Sequence, residues 1–565
     1  MQARHPYKAS QNFSTGKNST AILAPSHKNP AVMLRRLIIL LLPALGFLVS
    51  CQKETQVERA NREGIFLTGN SAEPKSLDLQ QVTGVPEGKI ITSLFEGLVA
   101  DDPENDDGTP PGAATSWEHN DDLTEWTFHL QPEGRWSDGV PVTADDFVFA
   151  YNRLLHPDFA GPYAEMLYFL KNAEEFNKGK ITDFSQVGVK AIDDHTLFVK
   201  LREPVPFLPS LTRHYTWFPV PKHVILKFGK MQDRFTDWSV LPNMVGNGPF
   251  KLKTWRFHDV IEVERNTYYW DAKNVGLNGI RFFPIENPFT ETRAFLSGQL
   301  HNIYTLPSDL IPAAKKEYPQ YLHQEPYVGT VFVRLNTTRK GLDNEKVRNA
   351  LSLALDRESI CKYIMEGYTP TTSFVPKMGA YEPEPVLSFN PEKARALLAE
   401  AGYPDGKGFP RFSVLISKPD AKASIEAMQA MWRKHLNILV DIQIKDWGSF
   451  VTAQQNLDFD IAVGGWIGDY LDPTTFLNLW TKGNGNNNTG WSDPAYEALL
   501  SEAALTADAA KRLEILKRAE LMVMKAQPII PVSWYSRNYL LRPEVKGWHP
   551  LLLDNHPWKS IRLEK

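Results

Sequence analysis

The chain has 565 residues, several times the length of one small domain, and its 42% hydrophobic and 23% charged content is ordinary globular usage, which excludes a disordered, collagenous or multi-span membrane protein. Its 62 basic and 66 acidic residues leave a net charge of −4, without the positive footprint of a phosphate-backbone binder, so nucleic acid is excluded as a partner. The 15 Trp, 19 Tyr, 30 Phe and 41 Pro tilt the reading toward an extracytoplasmic protein with many loops and ring-lined surfaces.

Met33 stands directly before Leu34-Arg35-Arg36, so residues 1–32 read as an upstream extension from a misassigned start. The apolar run Leu37 to Val49 follows two arginines and is shorter than the roughly 20 residues a membrane span needs. Basic start, apolar middle and small-residue end make 33–50 a secretory signal. It closes in Leu48-Val49-Ser50-Cys51, which resembles the lipobox of bacterial lipoproteins and implies acylation at Cys51. The polar segment 51–61 reads as a tether. Cys361 is then alone, so the mature chain has no intramolecular disulfide, and its apolar-periodic surroundings predict a buried thiol.

Along the body, Ile65 and Leu67 toward Gly69 predict a short strand, and Trp126, Phe128 and Leu130 predict a half-buried strand before the turn Pro132-Glu133-Gly134. Thr143-Ala144-Asp145-Asp146 opens a helix, the Thr hydroxyl capping and the carboxylates favouring the positive helix end, so these aspartates are structural first. The run Asp101 to Asp107 fails the calcium-loop template and reads as a solvated turn. Further strands are predicted at Leu197–Leu201, Ile261–Val263 and Ile280–Phe282. From about residue 340 helices and strands alternate, with a helix from Asn390-Pro391 to Gly402 and another over Ser424–His435. Strands at Ile438–Ile444 and Phe459–Gly465 follow, the second ending in the loop Trp466 to Pro473, and two helices occupy roughly 494–525. This is an α/β texture, and loops beyond strand ends in such lobes are common ligand sites.

No zinc-protease, Cys-x-x-Cys, nucleophile-elbow or phosphate-loop motif occurs, and the fourteen histidines have no metal spacing. Neither a cofactor, nor a metal, nor a catalytic residue is expected. The one acid/base reading left is a carboxylate pair, Asp469 and Asp472, for glycan hydrolysis.

Several stretches carry a resemblance. Ser71-Ala72-Glu73-Pro74-Lys75-Ser76-Leu77-Asp78, Leu94-Phe95-Glu96-Gly97-Leu98 and Trp136-Ser137-Asp138-Gly139 through Phe147 resemble the solute-binding proteins of the peptide/nickel ABC-importer family. Val189 to Leu197 and Glu203-Pro204-Val205-Pro206 are similar to the oligopeptide-binding proteins within it, and Asn247-Gly248-Pro249-Phe250 and Ala399 to Tyr403 continue the likeness. It implies an α/β, two-lobed periplasmic-binding-protein fold with an extra subdomain inserted in lobe I. Lobe I would be 62–95, 222–328 and 536–565, the insertion 96–221 and lobe II 329–535.

The resemblance also implies function. A peptide would lie in the cleft, held by main-chain pairing from Gly465 and Val85. Asp469, in the loop Trp466-Ile467-Gly468-Asp469-Tyr470, would hold its ammonium. Tyr163, Tyr327, Trp447 and Trp466 would line side-chain pockets, and Arg334 stands where relatives carry a pocket Glu. An Arg and a Glu paired across the cleft in many relatives are Val463 and Thr83 here, a coherent double loss. Ala421 replaces a peptide-binding His, and Gly329 and Ile467 replace a cleft disulfide. The implied protein is a monomeric, lipid-anchored, periplasmic or cell-surface receptor serving an ABC permease. A receptor for murein peptide, haem or a metal chelate is the alternative.

Overall fold

The structure, a computed structural model, describes residues 54–417, 421–445 and 447–564, so the upstream extension, the signal segment and Cys51 lie outside the described residues. The expected tether is corrected over most of its length, because Gln56–Glu63 is a helix. Thr55 and Glu58 form a reciprocal capping box, Val57 and Ala60 are buried three residues apart, and Gly64 ends the helix at φ 66°. A polar octapeptide needs only those two apolar contacts to dock on a body that folds around other residues.

β1 (Ile65–Gly69) follows at once, as expected. The inserted segment builds its own antiparallel sheet from β2 (Ala114–His119), β3 (Glu125–Leu130), β4 (Val189–Asp193) and β5 (Thr196–Lys200), in the order β2-β3-β5-β4. Trp126, Phe128 and Leu130 alternate into its core and meet Leu197 and Val199 from the neighbouring strand. Helix Ala144–Leu155 packs Phe147, Tyr151 and Leu154 on that core. Its start is a capping box in which Asp146 accepts the Thr143 N–H at 2.9 Å, so the aspartates are structural as expected. The turn at 101–107 departs from expectation, since Asp101 faces Arg213 at 3.7 Å and Asp106 accepts the Leu552 N–H at 2.7 Å.

The main sheet adds β6 (Phe250–Arg256), β7 (Val260–Arg265), β8 (Gly279–Phe283), β9 (Asn302–Ile303), β10 (Leu322–Leu335) and β11 (Thr369–Pro370). Beyond these come β12 (Phe412–Ile416), β13 (Val440–Ile444), β14 (Ile461–Ile467) and β15 (Ile529–Leu541). The order is β13-β12-β14-β10-β15-β9-β1-β8-β7-β6, with β11 on the flank of β15. Parallel β12, β13 and β14 sit on one side of the long pair β10/β15, and β1 and β6 to β9 on the other, which gives the two lobes.

β10 and β15 therefore run through both lobes, and their ladder has a register shift between Pro326 and Thr330. There Val328 leaves the ladder: its N–H donates to the Leu552 carbonyl and its carbonyl accepts from Gly468, both at 2.8 Å. The lobe boundaries implied at 329 and 536 fall inside these two strands, beside the shift. The second lobe packs helix Lys422–Leu436 through Ile425, Met428 and Trp432. Cys361 is buried there, and burial pushes its thiol up to about 11.

One strand end is corrected. Phe459–Gly465 was expected, but β14 spans Ile461–Ile467, because Gly465, Trp466 and Ile467 pair with Val331, Thr330 and Gly329 and so extend past the glycines. Asp460 ends the other side by giving its carboxylate to the Ser413 N–H at 3.0 Å. The loop after β14 thus begins at Gly468.

Candidate functional site

Helix Val85–Leu94 starts after Gly84 with proline in its first turn, and its positions 85, 88, 89 and 92 form one face. That face is one wall of a cavity of about 260 Å3. The opposite wall is the end of β14 and its loop, with Ile467, Gly468 and Asp469. Tyr163, Tyr215, Tyr327, Arg537 and the segment Leu553 to Lys559 line the rest of it.

Four of the expected site residues meet here, namely Val85, Tyr163, Tyr327 and Asp469. Three others are placed elsewhere. Gly465 is accessible but lies against the Tyr535 ring, where an added Cβ would come within 2.4 Å of the hydroxyl. Trp466 packs its ring against the core of the second lobe, and its indole N–H has no partner among the described residues. Arg334 is buried in the sheet, bonded to Gln454 and 5.2 Å from the Phe332 ring, with burial lowering its guanidinium to about 10. Trp447 opens the helix to Gln455, and its side chain lies outside the described residues.

The loop that carries Asp469 is rigidly held. The Asp469 N–H donates to Thr475 Oγ1 at 3.0 Å, and Tyr470 stacks on Phe207 with ring centroids 5.2 Å apart. Asp472 is spent on structure: it takes the Arg512 guanidinium on both oxygens and accepts from the Thr474 N–H and hydroxyl. It has nothing left for acid–base work, so the two aspartates are not a catalytic pair.

The charges around the cavity sort by partner. Eight ionisable acids and bases other than histidine line it: Lys89, Glu96, Asp101, Arg213, Asp469, Arg537, Asp554 and Lys559. Arg213 faces Asp101, and it also holds the carbonyls of Asp106 and Gly108. Arg537 pairs with Asp554 at 2.8 Å and covers the Tyr327 ring at 3.9 Å. Burial alone would raise Asp554, but Arg537 and His556 hold its carboxyl below the ordinary value. Lys559 lies 3.7 Å from Glu96, which also accepts from Tyr269 and from the Trp270 indole at 2.7 Å.

That leaves Asp469 and Lys89. The Asp469 carboxylate accepts no hydrogen bond from any described residue, and burial, aided by the Glu165 charge, pushes it up to about 7. Lys89 makes no ion pair with any described carboxylate; its ammonium rests 3.0 Å above the centre of the Tyr304 ring. An isolated ion in a desolvated cavity is costly, so each of these groups is a place for an opposite charge brought by a ligand.

Sequence reasoning missed Lys89, Arg213, Arg537 and Asp554, because no motif marks them and only the fold brings them to one cavity. A signal for Lys89 was present, since the Gly84-Val85-Pro86 start and the spacing to Thr92 put it on the same face as Val85. Among the described residues no group of His, Cys, Asp or Glu is placed to hold a metal, and no helix is long and apolar enough to cross a membrane.

A family model described as "Bacterial extracellular solute-binding proteins, family 5 Middle" matches residues 109–488. The chain is similar to the periplasmic oligopeptide-binding protein of Salmonella typhimurium, 35% identical over 505 residues, or 87% of this chain and 91% of that one. It is similar to the periplasmic murein peptide-binding protein of Escherichia coli, 33% identical over 488 residues, covering 84% and 88%. Its structure is similar to that of OppA of Haemophilus influenzae in complex with RPPGFSPFR, with TM-score 0.77 and 34% identity, covering 89% and 99%.

Proposed function

The chain belongs to family 5 of the bacterial extracellular solute-binding proteins and has their two-lobed α/β fold, a binding protein and not an enzyme, and on that premise we propose that it captures peptides for an ABC permease. The observation that carries this reading is the buried Asp469 carboxylate, which lines the cavity with no hydrogen-bond donor on it among the described residues. A peptide's terminal ammonium supplies both the charge and the donors it lacks. Val85, at the start of its helix, offers main chain on one wall, and Tyr163 and Tyr327 offer rings for side chains. The segments 62–95, 222–328 and 536–565 form one lobe and 329–535 the other, with 96–221 inserted, and Cys51 carries the lipid that keeps a monomeric receptor at the membrane.

Mass spectrometry of protein purified gently from membranes tests this. Intact peptides with free N-termini are expected as cargo, and an acyl-modified N-terminal Cys51 as the anchor. Haem, a metal chelate or cleaved glycans in place of peptide would overturn the reading, and a chain starting elsewhere without lipid would remove the anchor. Murein peptides alone would narrow the cargo to that class.

A proton balance follows from the same carboxylate. In an unfolded chain an aspartate titrates near 3.9, whereas in the folded protein burial holds Asp469 up to about 7, so the folded state binds more protons between these values. The stability linked to this group is complete below about pH 4 and is lost as pH rises through about 7. A bound ammonium favours the ionised form. Trialanine binding at pH 6, measured by calorimetry in buffers of different ionisation enthalpy, should release close to one proton, and affinity should fall about tenfold per pH unit below 7. Binding at pH 6 with no proton released would contradict the assignment.

A further inference from the structure

Six of the eight charges on the cavity wall neutralise one another, and the two left over have opposite sign and hang from opposite lobes. Asp469 follows β14 in one, and Lys89 lies on the helix after β1 in the other. We propose that Lys89 is the carboxylate anchor of the site: its ammonium takes an anionic group of the bound peptide, the C-terminal carboxylate or an acidic side chain, while Asp469 takes the N-terminal ammonium. This rests on the peptide reading and deepens it to a zwitterionic or acidic ligand.

The surroundings of Lys89 support the assignment. The Tyr304 face beneath it holds the cation, and the ammonium donates no hydrogen bond to any described residue. Asp554, the carboxylate of the lining that acts on Lys89, is committed to Arg537 and to His556 at 3.0 Å. Glu291 is the remaining neighbour; it lies outside the cavity lining, no ion pair joins it to Lys89, and burial pushes its carboxyl up. Burial and the like charge of Arg537 likewise depress the Lys89 ammonium to about 7, the condition of a cation awaiting an anion. The cavity, about 260 Å3, lies just under the range of about 300–1,000 Å3 usual for drug-sized ligands, so one short ligand would meet both charges.

Calorimetry with four peptides tests this: trialanine and its C-terminal amide, then Ala-Glu-Ala amide and Ala-Gln-Ala amide. If the C-terminus is the anion, the parent binds trialanine about 10- to 100-fold more tightly than its amide; if an acidic side chain is, the Glu peptide beats the Gln peptide by a similar factor. In Lys89→Met, or in Lys89→Gln should the first variant unfold, that preference falls to within about twofold. A preference that survives the substitution, or a parent that shows none in either pair, overturns the assignment and leaves the peptide reading standing. So does a result in which Lys89→Met and Glu291→Gln lower the melting temperature alike while the preference stays, since Lys89 then serves Glu291 and not the ligand. Failure of the parent to bind any of the four peptides would sink the peptide reading itself, and this assignment with it.

Discussion

Replacing Asp469 with alanine is expected to weaken peptide binding by about 2–5 kcal/mol, because the ligand ammonium then enters the cavity with no counter-charge. The other carboxylates lining the cavity, and Asp472 beside it, are committed elsewhere, and Glu165 lies outside the lining. Asp472 is fixed on Arg512, Asp101 on Arg213 and Asp554 on Arg537, and Tyr163 is a phenol whose ionisation burial further suppresses. An N-acetylated peptide should lose affinity for the parent by a similar amount, since it removes the same interaction from the other side. The two losses should not add: calorimetry on the four combinations of protein and peptide measures the coupling, which is expected to approach the full size of either single effect. If acetylation costs as much in Asp469→Ala as in the parent, another group anchors the ligand.

The largest effect on stability is expected at Asp78. Its carboxylate and the Arg153 guanidinium are both fully buried and meet at 2.7 and 3.1 Å. Around them Gln80 and the Met231 carbonyl take two more guanidinium protons, and Gln81 and the Trp238 indole donate to the carboxylate. Three chain segments, before, within and after the inserted subdomain, thus converge on one ion pair. Asp78→Ala leaves Arg153 charged in a dry interior with the Phe159 ring 4.2 Å away as its main consolation, and should cost about 3–5 kcal/mol. Asp78→Leu combined with Arg153→Met removes both ions and should cost much less than the sum of the single changes. Denaturant melts of the single and double variants read this directly. Additive losses would mean that packing, not charge, dominates the site.

How much of this was legible beforehand depended on whether the cause was local. Thr143 and Asp146 announced their helix because a cap is decided within four residues, and Trp126, Phe128 and Leu130 announced their strand because alternation is read from neighbours alone. Helix Gln56–Glu63 was equally local, with Thr55 and Glu58 at capping-box spacing, but its polarity masked it. The end of β14 was not local: Gly464-Gly465 looks like a break, and only the pairing of Trp466 and Ile467 with β10 keeps the strand going. The site divides in the same way. Asp469, Tyr163, Tyr327 and Val85 came from a resemblance carried by short motifs. Which charges stay unpaired cannot be read from any window of the sequence, because the pairing of Arg213 with Asp101, or of Lys559 with Glu96, joins residues more than a hundred positions apart.

Val328 sits where β10 and β15 lose register, and it spends its two backbone groups on Gly468 and Leu552 instead of on the ladder. Asp469 follows the first of these directly, and Asp554 stands two residues beyond the second. When lobes turn about a pair of shared strands, each atom travels in proportion to its distance from the pivot, so the rims of the cleft sweep far while groups tied to the axle scarcely move. Were the lobes to turn about β10 and β15, Asp469 and the Arg537–Asp554 pair, tied in that way, would keep nearly the same spacing throughout. A ligand spanning them would then be gauged against a fixed ruler, whatever the separation of the outer walls.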